Sequence, residues 1–154
     1  MLSFASKYLK IVLDDKNFKK VSFIRAQKNL SNISKFDLKN CLTININSFN
    51  EMSDNAFNIY IELINGIGGF FYTKNPVAKF NDPEITTNIK RKRIALNTGQ
   101  IKKIINIFDG KELDKAKKNY IQTYRPSTKW KIVATKFSKP LTYYLQTIYE
   151  KTNN

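Results

Sequence analysis

Four consecutive cations, Lys90, Arg91, Lys92 and Arg93, are the densest chemistry in this 154-residue sequence. Like charges so close together repel one another unless an anion lies beside them, so the run points to a polyanionic partner. The other reactive candidates are carboxylates: Asp14 with Asp15, and Asp109, Glu112 and Asp114. Such groups could hold magnesium for phosphodiester cleavage. Asp14 and Asp15 fall in a polar turn, however, and Asp109 and Glu112 flank Gly110, so solvated surface describes them better. There is no histidine, which removes the commonest general base, the commonest transition-metal ligand and every dyad built on imidazole. The single cysteine, Cys41, cannot close an intramolecular disulfide, and beside Leu42 and Ile44 it reads as a small buried apolar residue. The expectation is a protein that is not an enzyme and needs no metal or cofactor.

Charge sharpens the choice of partner. Twenty-seven basic and 12 acidic residues leave a net +15, with a pI near 9.9. The surplus is uneven: residues 85–154 hold 16 basic and 4 acidic groups, net +12, against +3 for residues 1–84. Positive charge concentrated in one part of a foldable chain is the footprint of a nucleic-acid surface. At 42% hydrophobic and 13% aromatic the chain can build a core, and its length suits one domain over residues 1–154, with 1–17 as an extension and 150–154 as a frayed tail. No apolar run is long enough to cross a bilayer, and no signal sequence is evident, so an intracellular protein (cytoplasm, nucleoid or nucleus) without a membrane partner is expected.

The elements that must position the cations follow from periodicity. Phe4, Tyr8, Ile11 and Val12 fit one face of a short helix, although 8–13 also fits a strand. Alternation suggests strands over 18–27 and 36–49, the latter setting Leu42, Ile44 and Ile46 against Thr43, Asn45 and Asn47. Strict alternation predicts a strand at 57–63, with Phe57, Ile59, Ile61 and Leu63 inward and Tyr60 outward. Gly66, Gly68 and Gly69 then permit a reversal into a return strand over 70–72. The stretch 75–84, with Pro76 and Pro83, reads as irregular. A strand carrying the basic run ends in Ile94 and Leu96. Behind it, Ile101, Ile104, Ile105 and Phe108 form a helical stripe capped by Asn97 or Thr98 and stopped by Gly110. Strands at 120–124 and 129–137 follow, and Pro140 opens a final helix lined by Leu141, Tyr144, Leu145 and Ile148. The class predicted is α+β: a curved antiparallel β-sheet packed by amphipathic helices, strands then helix, with the order repeated in a shortened second block.

The text Ile94-Ala95-Leu96-Asn97-Thr98-Gly99-Gln100-Ile101, with Ile104 beyond it, resembles the single-stranded-DNA-binding domain of the positive cofactor four family of coactivators. The expected hairpin over 57–74 stands where that family has curved strands, and the related Whirly architecture would suit the length. Arg93 occupies a usual glycine position and Ile101 a usual aromatic one. The resemblance implies a homodimer or higher homo-oligomer that presents a basic, aromatic-studded surface to unpaired DNA.

Single strands bind where cations track the backbone and aromatic faces stack the bases. Phosphate contacts are expected from Lys90, Arg91, Lys92 and Arg93 and from Arg125, Lys129 and Lys131 of the later hairpin, with Tyr60 and Tyr72 as stacking groups and Trp130 in the core. Charge alone equally permits RNA or a ribosome as the partner, or an acidic protein bound by an interaction or inhibitor module.

Overall fold

The computed structural model describes residues 2–23, 33, 41–80, 97–140 and 143–152. The basic run at 90–93, and the strand expected to carry it, lie outside the described residues, as does most of 24–40. The chain divides into two compact units, Met1–Asp37 and Leu38–Asn154. In the first, helix α1 (Leu2–Val12) leads into the single turn α2 (Asp15–Phe18), whose N-cap Asp14 accepts from the Asn17 amide at 2.8 Å. Phe18, expected to begin a strand, closes that turn instead.

The second unit runs β1 (Leu42–Ile46), a 3-10 turn (Phe49–Glu51), α3 (Asp54–Ile67), β2 (Phe70–Pro76), β3 (Lys79–Phe80), β4 (Ile104–Ile105), α4 (Gly110–Tyr124), β5 (Trp130–Phe137) and β6 (Tyr144–Lys151). Four strands form an open sheet in the order β1-β2-β6-β5, and β3 pairs with β4 apart from it. The α+β class holds. The sheet is mixed, because β1 runs parallel to β2 while β2, β6 and β5 are antiparallel. The long helices fall between strands: β1 precedes α3, β2 to β4 precede α4, and β5 and β6 follow, so the second block ends in strands where a helix was expected.

The segment expected as a strand at 57–63 is the middle of α3. Ser53 caps it, accepting from the Ala56 amide, and Phe57, Tyr60, Ile61 and Ile64 fall at i, i+3, i+4 and i+7 against the core. Phe57 and Ile61 serve either period, whereas Ile59, inward in the strand reading, is 44% exposed. The glycine reversal is real but joins a helix to a strand: Gly68 and Gly69 have φ of 87° and 74°.

The helix expected behind the basic run does not form. Ile101 and Ile105 are buried in an extended segment, while Ile104 is partly exposed and Phe108 is 91% exposed. Gly99, at φ 71°, turns the chain beforehand. Asp109 caps the next helix by accepting from Lys111 and Glu112 amides at 2.8 and 3.1 Å, so Gly110 starts a helix rather than stopping one. That helix, α4, absorbs the strand expected at 120–124, since Ala116, Tyr120 and Tyr124 make a buried stripe four residues apart. The final helix is strand β6, whose Leu145, Thr147 and Tyr149 point inward. Lys151 and Thr152 are held by backbone bonds to Gly69 and Lys129, so the ordered chain passes residue 150.

Both long helices cover one face of the sheet. Their aromatics close the core with Phe49, Phe71, Trp130 and Tyr149, and several rings pair edge-on or stacked, such as Phe49 and Phe57 at 5.0 Å. Asn65, near the end of α3, clamps the start of β5: its side-chain oxygen accepts from Trp130 Nε1 and Ser127 Oγ, each at 2.9 Å.

A polar row crosses this buried face, through Asn45, Thr73, Thr147 and Thr135 on the four strands. Asn75 Nδ2 donates to Asn45 Oδ1 and Thr73 Oγ1, both at 2.8 Å, and the Tyr120 hydroxyl lies 3.2 Å from Thr73 Oγ1 while accepting from the Asn75 amide at 3.1 Å. The row pins β1 beside β2, because a shift by one residue would place an aliphatic side chain against these groups. Asn75→Ala leaves Asn45 Oδ1 without its Asn75 donor and removes one of the two partners of Thr73 Oγ1, and should cost about 2 kcal/mol in urea unfolding. An unchanged midpoint would show that the amide does not hold the row.

Candidate nucleic-acid interface

The opposite face of the same sheet is built by the alternate residues. From the register, Leu42, Phe70, Glu150 and Lys131 form one row across it, Ile44, Tyr72, Ile148 and Ala134 a second, and Ile46, Lys74, Gln146 and Lys136 a third. A bulge between Ile132 and Ala134 restores the alternation of β5 after one extra residue. Neighbouring strands lie about 4.8 Å apart, so the face is roughly 14 Å wide from β1 to β5.

Its composition changes across that width. The β1 margin is aliphatic: Leu42, Ile44 and Ile46 are 56%, 59% and 57% exposed. Alternation in β1 was legible in the sequence, but the apolar side faces out, because Asn45 turns inward to bond Asn75. The middle carries Phe70, 40% exposed, and half-buried Tyr72, whose hydroxyl donates to Gln146 Oε1 at 3.1 Å. Partial burial pushes the Tyr72 hydroxyl above its usual pKa, so it remains a neutral donor. The β5 margin is basic, with Lys131 and Lys136 exposed. Glu150 is the one acid among the described outward residues, and Lys131 engages it at 2.8 Å.

Of the residues expected to form a site, Tyr72 and Lys131 meet on this face. Lys129 is exposed in the turn entering β5. Arg125 instead ties that turn together, donating to the carbonyls of Trp130 and of Thr128, the latter at 3.0 Å. Tyr60 sits on α3, half-buried against the core on the covered side, since it belongs to a helical and not an alternating stripe. Trp130 is fully buried, as expected. Lys90, Arg91, Lys92 and Arg93 are outside the described residues.

Phe70, Lys74 and Lys136 were missed as site residues, although i, i+2 spacing from Tyr72 picks out the first two once 70–76 is read as a strand. Cys41 is half-buried and its Sγ lies 3.8 Å from the Gly68 carbonyl. Among the described residues no three acidic, cysteine or histidine side chains gather as a metal site, and no helix is long and apolar enough to cross a membrane.

Comparison with protein-family models, with curated proteins and with solved structures finds no match. The reading of this surface therefore rests on its own chemistry. The segment that the positive cofactor four resemblance would make a hairpin, 57–74, is a helix followed by a strand.

Proposed function

We propose that this protein binds nucleic acid without cleaving it, with unpaired DNA as its first ligand, on the uncovered face of the four-stranded sheet. The observation that supports this best is the grouping of Phe70 and Tyr72 with Lys74, Lys131 and Lys136, on a face whose one described acid is engaged by a lysine. An exposed ring offers a base a stacking partner worth roughly 1–3 kcal/mol, and each lysine that meets a phosphate releases a counterion. The net +15 draws such a ligand in from a distance. A homodimer would set two of these faces side by side and lengthen the track, and light scattering would count the copies.

The test is a salt titration of binding to an unstructured oligonucleotide, with duplex DNA and RNA at matched salt. Replacing Lys74, Lys131 and Lys136 by Gln should weaken binding on the order of tenfold or more and flatten the log–log salt slope by about 2. Phe70→Ala should also weaken binding about tenfold, but leave the slope unchanged. Folded variants that bind like the parent would reject the face. Loss confined to alanine replacement of Lys90, Arg91, Lys92 and Arg93 would move the site to that run, and preference for RNA or duplex would revise the ligand.

The exposed row Leu42, Ile44 and Ile46 favours a second reading, in which another protein packs on this face. Binding to a protein that is abolished by Ile44→Gln, with nucleic-acid affinity absent from the start, would select it.

A further inference from the structure

Helix α1 separates its side chains almost completely. At 100° per residue, Phe4, Ala5, Tyr8, Leu9, Ile11 and Val12 occupy one arc of about 160°, and Ser6, Lys7 and Lys10 occupy the rest. The apolar arc is largely uncovered: Phe4 is 75% exposed, Tyr8 57%, Ile11 83% and Val12 52%. Isolated apolar residues on a surface are ordinary, but four on consecutive turns of one helix are not.

From this we infer that α1 lies on anionic lipid, its apolar arc sunk among the acyl chains and its lysines among the headgroups. Charge selects this occupant. Lys7 borders the apolar arc and Lys10 lies at the middle of the opposite, polar face, no acid lies within the helix, and the described residues that follow add Lys16, Lys19 and Lys20 against Asp14 and Asp15. Lys7 can extend its apolar stem along the helix and raise its ammonium group to phosphate, while Lys10 faces the aqueous side of the headgroup layer. Tyr8 suits the same boundary, with an apolar ring and a polar tip. A second copy of the helix would cover only a narrow seam of so wide an arc, and would bring cation against cation. Bases stack on rings and gain little from Ile11 or Val12. The helix is too short to span a bilayer, so the contact is peripheral, lying in the headgroup plane rather than crossing it.

The test uses the full chain, freed of nucleic acid, sedimented with vesicles of phosphatidylcholine containing roughly a third phosphatidylglycerol, and with phosphatidylcholine alone. The decisive variant is Phe4→Gln with Ile11→Gln, which takes the two most exposed apolar side chains off the arc and leaves the charge at +15. The parent should partition onto the anionic vesicles, and the variant should do so about tenfold less, with its oligonucleotide affinity unaltered. Equal partitioning of the two would show attraction by the general positive charge alone and overturn the inference. So would a parent that ignores the vesicles, or one that self-associates through α1 in a manner the variant abolishes.

Discussion

Above pH 10, where an exposed tyrosine ionises freely, the protein should unfold in one cooperative step as its buried tyrosines are driven to give up their protons. Tyr120, Tyr124 and Tyr149 are almost entirely shielded from solvent, and burial raises all three hydroxyl pKa values, Tyr120 to about 12. A phenol is neutral while it keeps its proton, so the folded state holds these protons more tightly than the unfolded chain does. The stability linked to them is fully present below the ordinary value of 10 and drains away as the pH climbs towards the folded value. For Tyr120 alone this is on the order of 3 kcal/mol, since each tenfold tightening of proton binding corresponds to about 1.4 kcal/mol. Burial raises Tyr124 and Tyr149 in the same direction, so both add to a loss that falls on a whole stability of only about 5–15 kcal/mol. Lacking histidine, the chain should hold a flat plateau through neutrality. Trp130 fluorescence and tyrosinate absorbance recorded along one alkaline titration would show it. Complete tyrosinate formation near pH 10 with the tryptophan signal unmoved would contradict the account.

Gly69→Ala should be the most damaging single methyl that can be added at a described glycine, costing on the order of 4 kcal/mol. Its Cβ would stand 2.3 Å from the Cys41 carbonyl oxygen and 3.0 Å from the Cys41 nitrogen, at a φ of 74° that side chains avoid. Neither backbone can retreat cheaply. The Phe70 amide donates to that same Cys41 oxygen at 2.8 Å, and the Lys151 amide donates to the Gly69 carbonyl at 3.0 Å, so retreat would loosen β1 and β6 together. Gly66, three residues earlier, supplies the control. It is helical with nothing within 4 Å of a new Cβ, and Gly66→Ala should stabilise by roughly 0.5–1 kcal/mol. Urea midpoints that move the same way for both variants would refute the argument.

What could be read from residue order was local and had a single interpretation. Alternation around Trp130 marked β5, the paired glycines marked the turn into β2, and the capacity for a core was evident in the aromatics. The errors fall where two periods share residues. Phe57 and Ile61 suit a strand or a helix, and Ser53 with Ile64, just outside the alternating run, decides for the helix. Tyr144, Leu145 and Ile148 suit a helix too, but β6 is fixed by pairing with β2, where Gln146 meets Lys74. Nothing close in sequence carries that information. The inward turn of Asn45 was equally hidden, since its partner Asn75 is thirty residues away. The candidate face inherits this limit: Tyr72 and Lys131 were nameable singly, but their common surface exists only through the ladder between β2 and β6.

That ladder joins two stretches that are each compact in sequence, β1–α3–β2 before it and α4–β5–β6 after it. Its seven residue pairs, with Tyr120 reaching across to Thr73 and Asn75, are the largest set of backbone contacts between the halves, to which Asn65 adds its bonds to Ser127 and Trp130. Two separately translated pieces would therefore have to form this ladder, the Asn65 bonds to Ser127 and Trp130 and the shared aromatic core together before either could complete its half of the sheet.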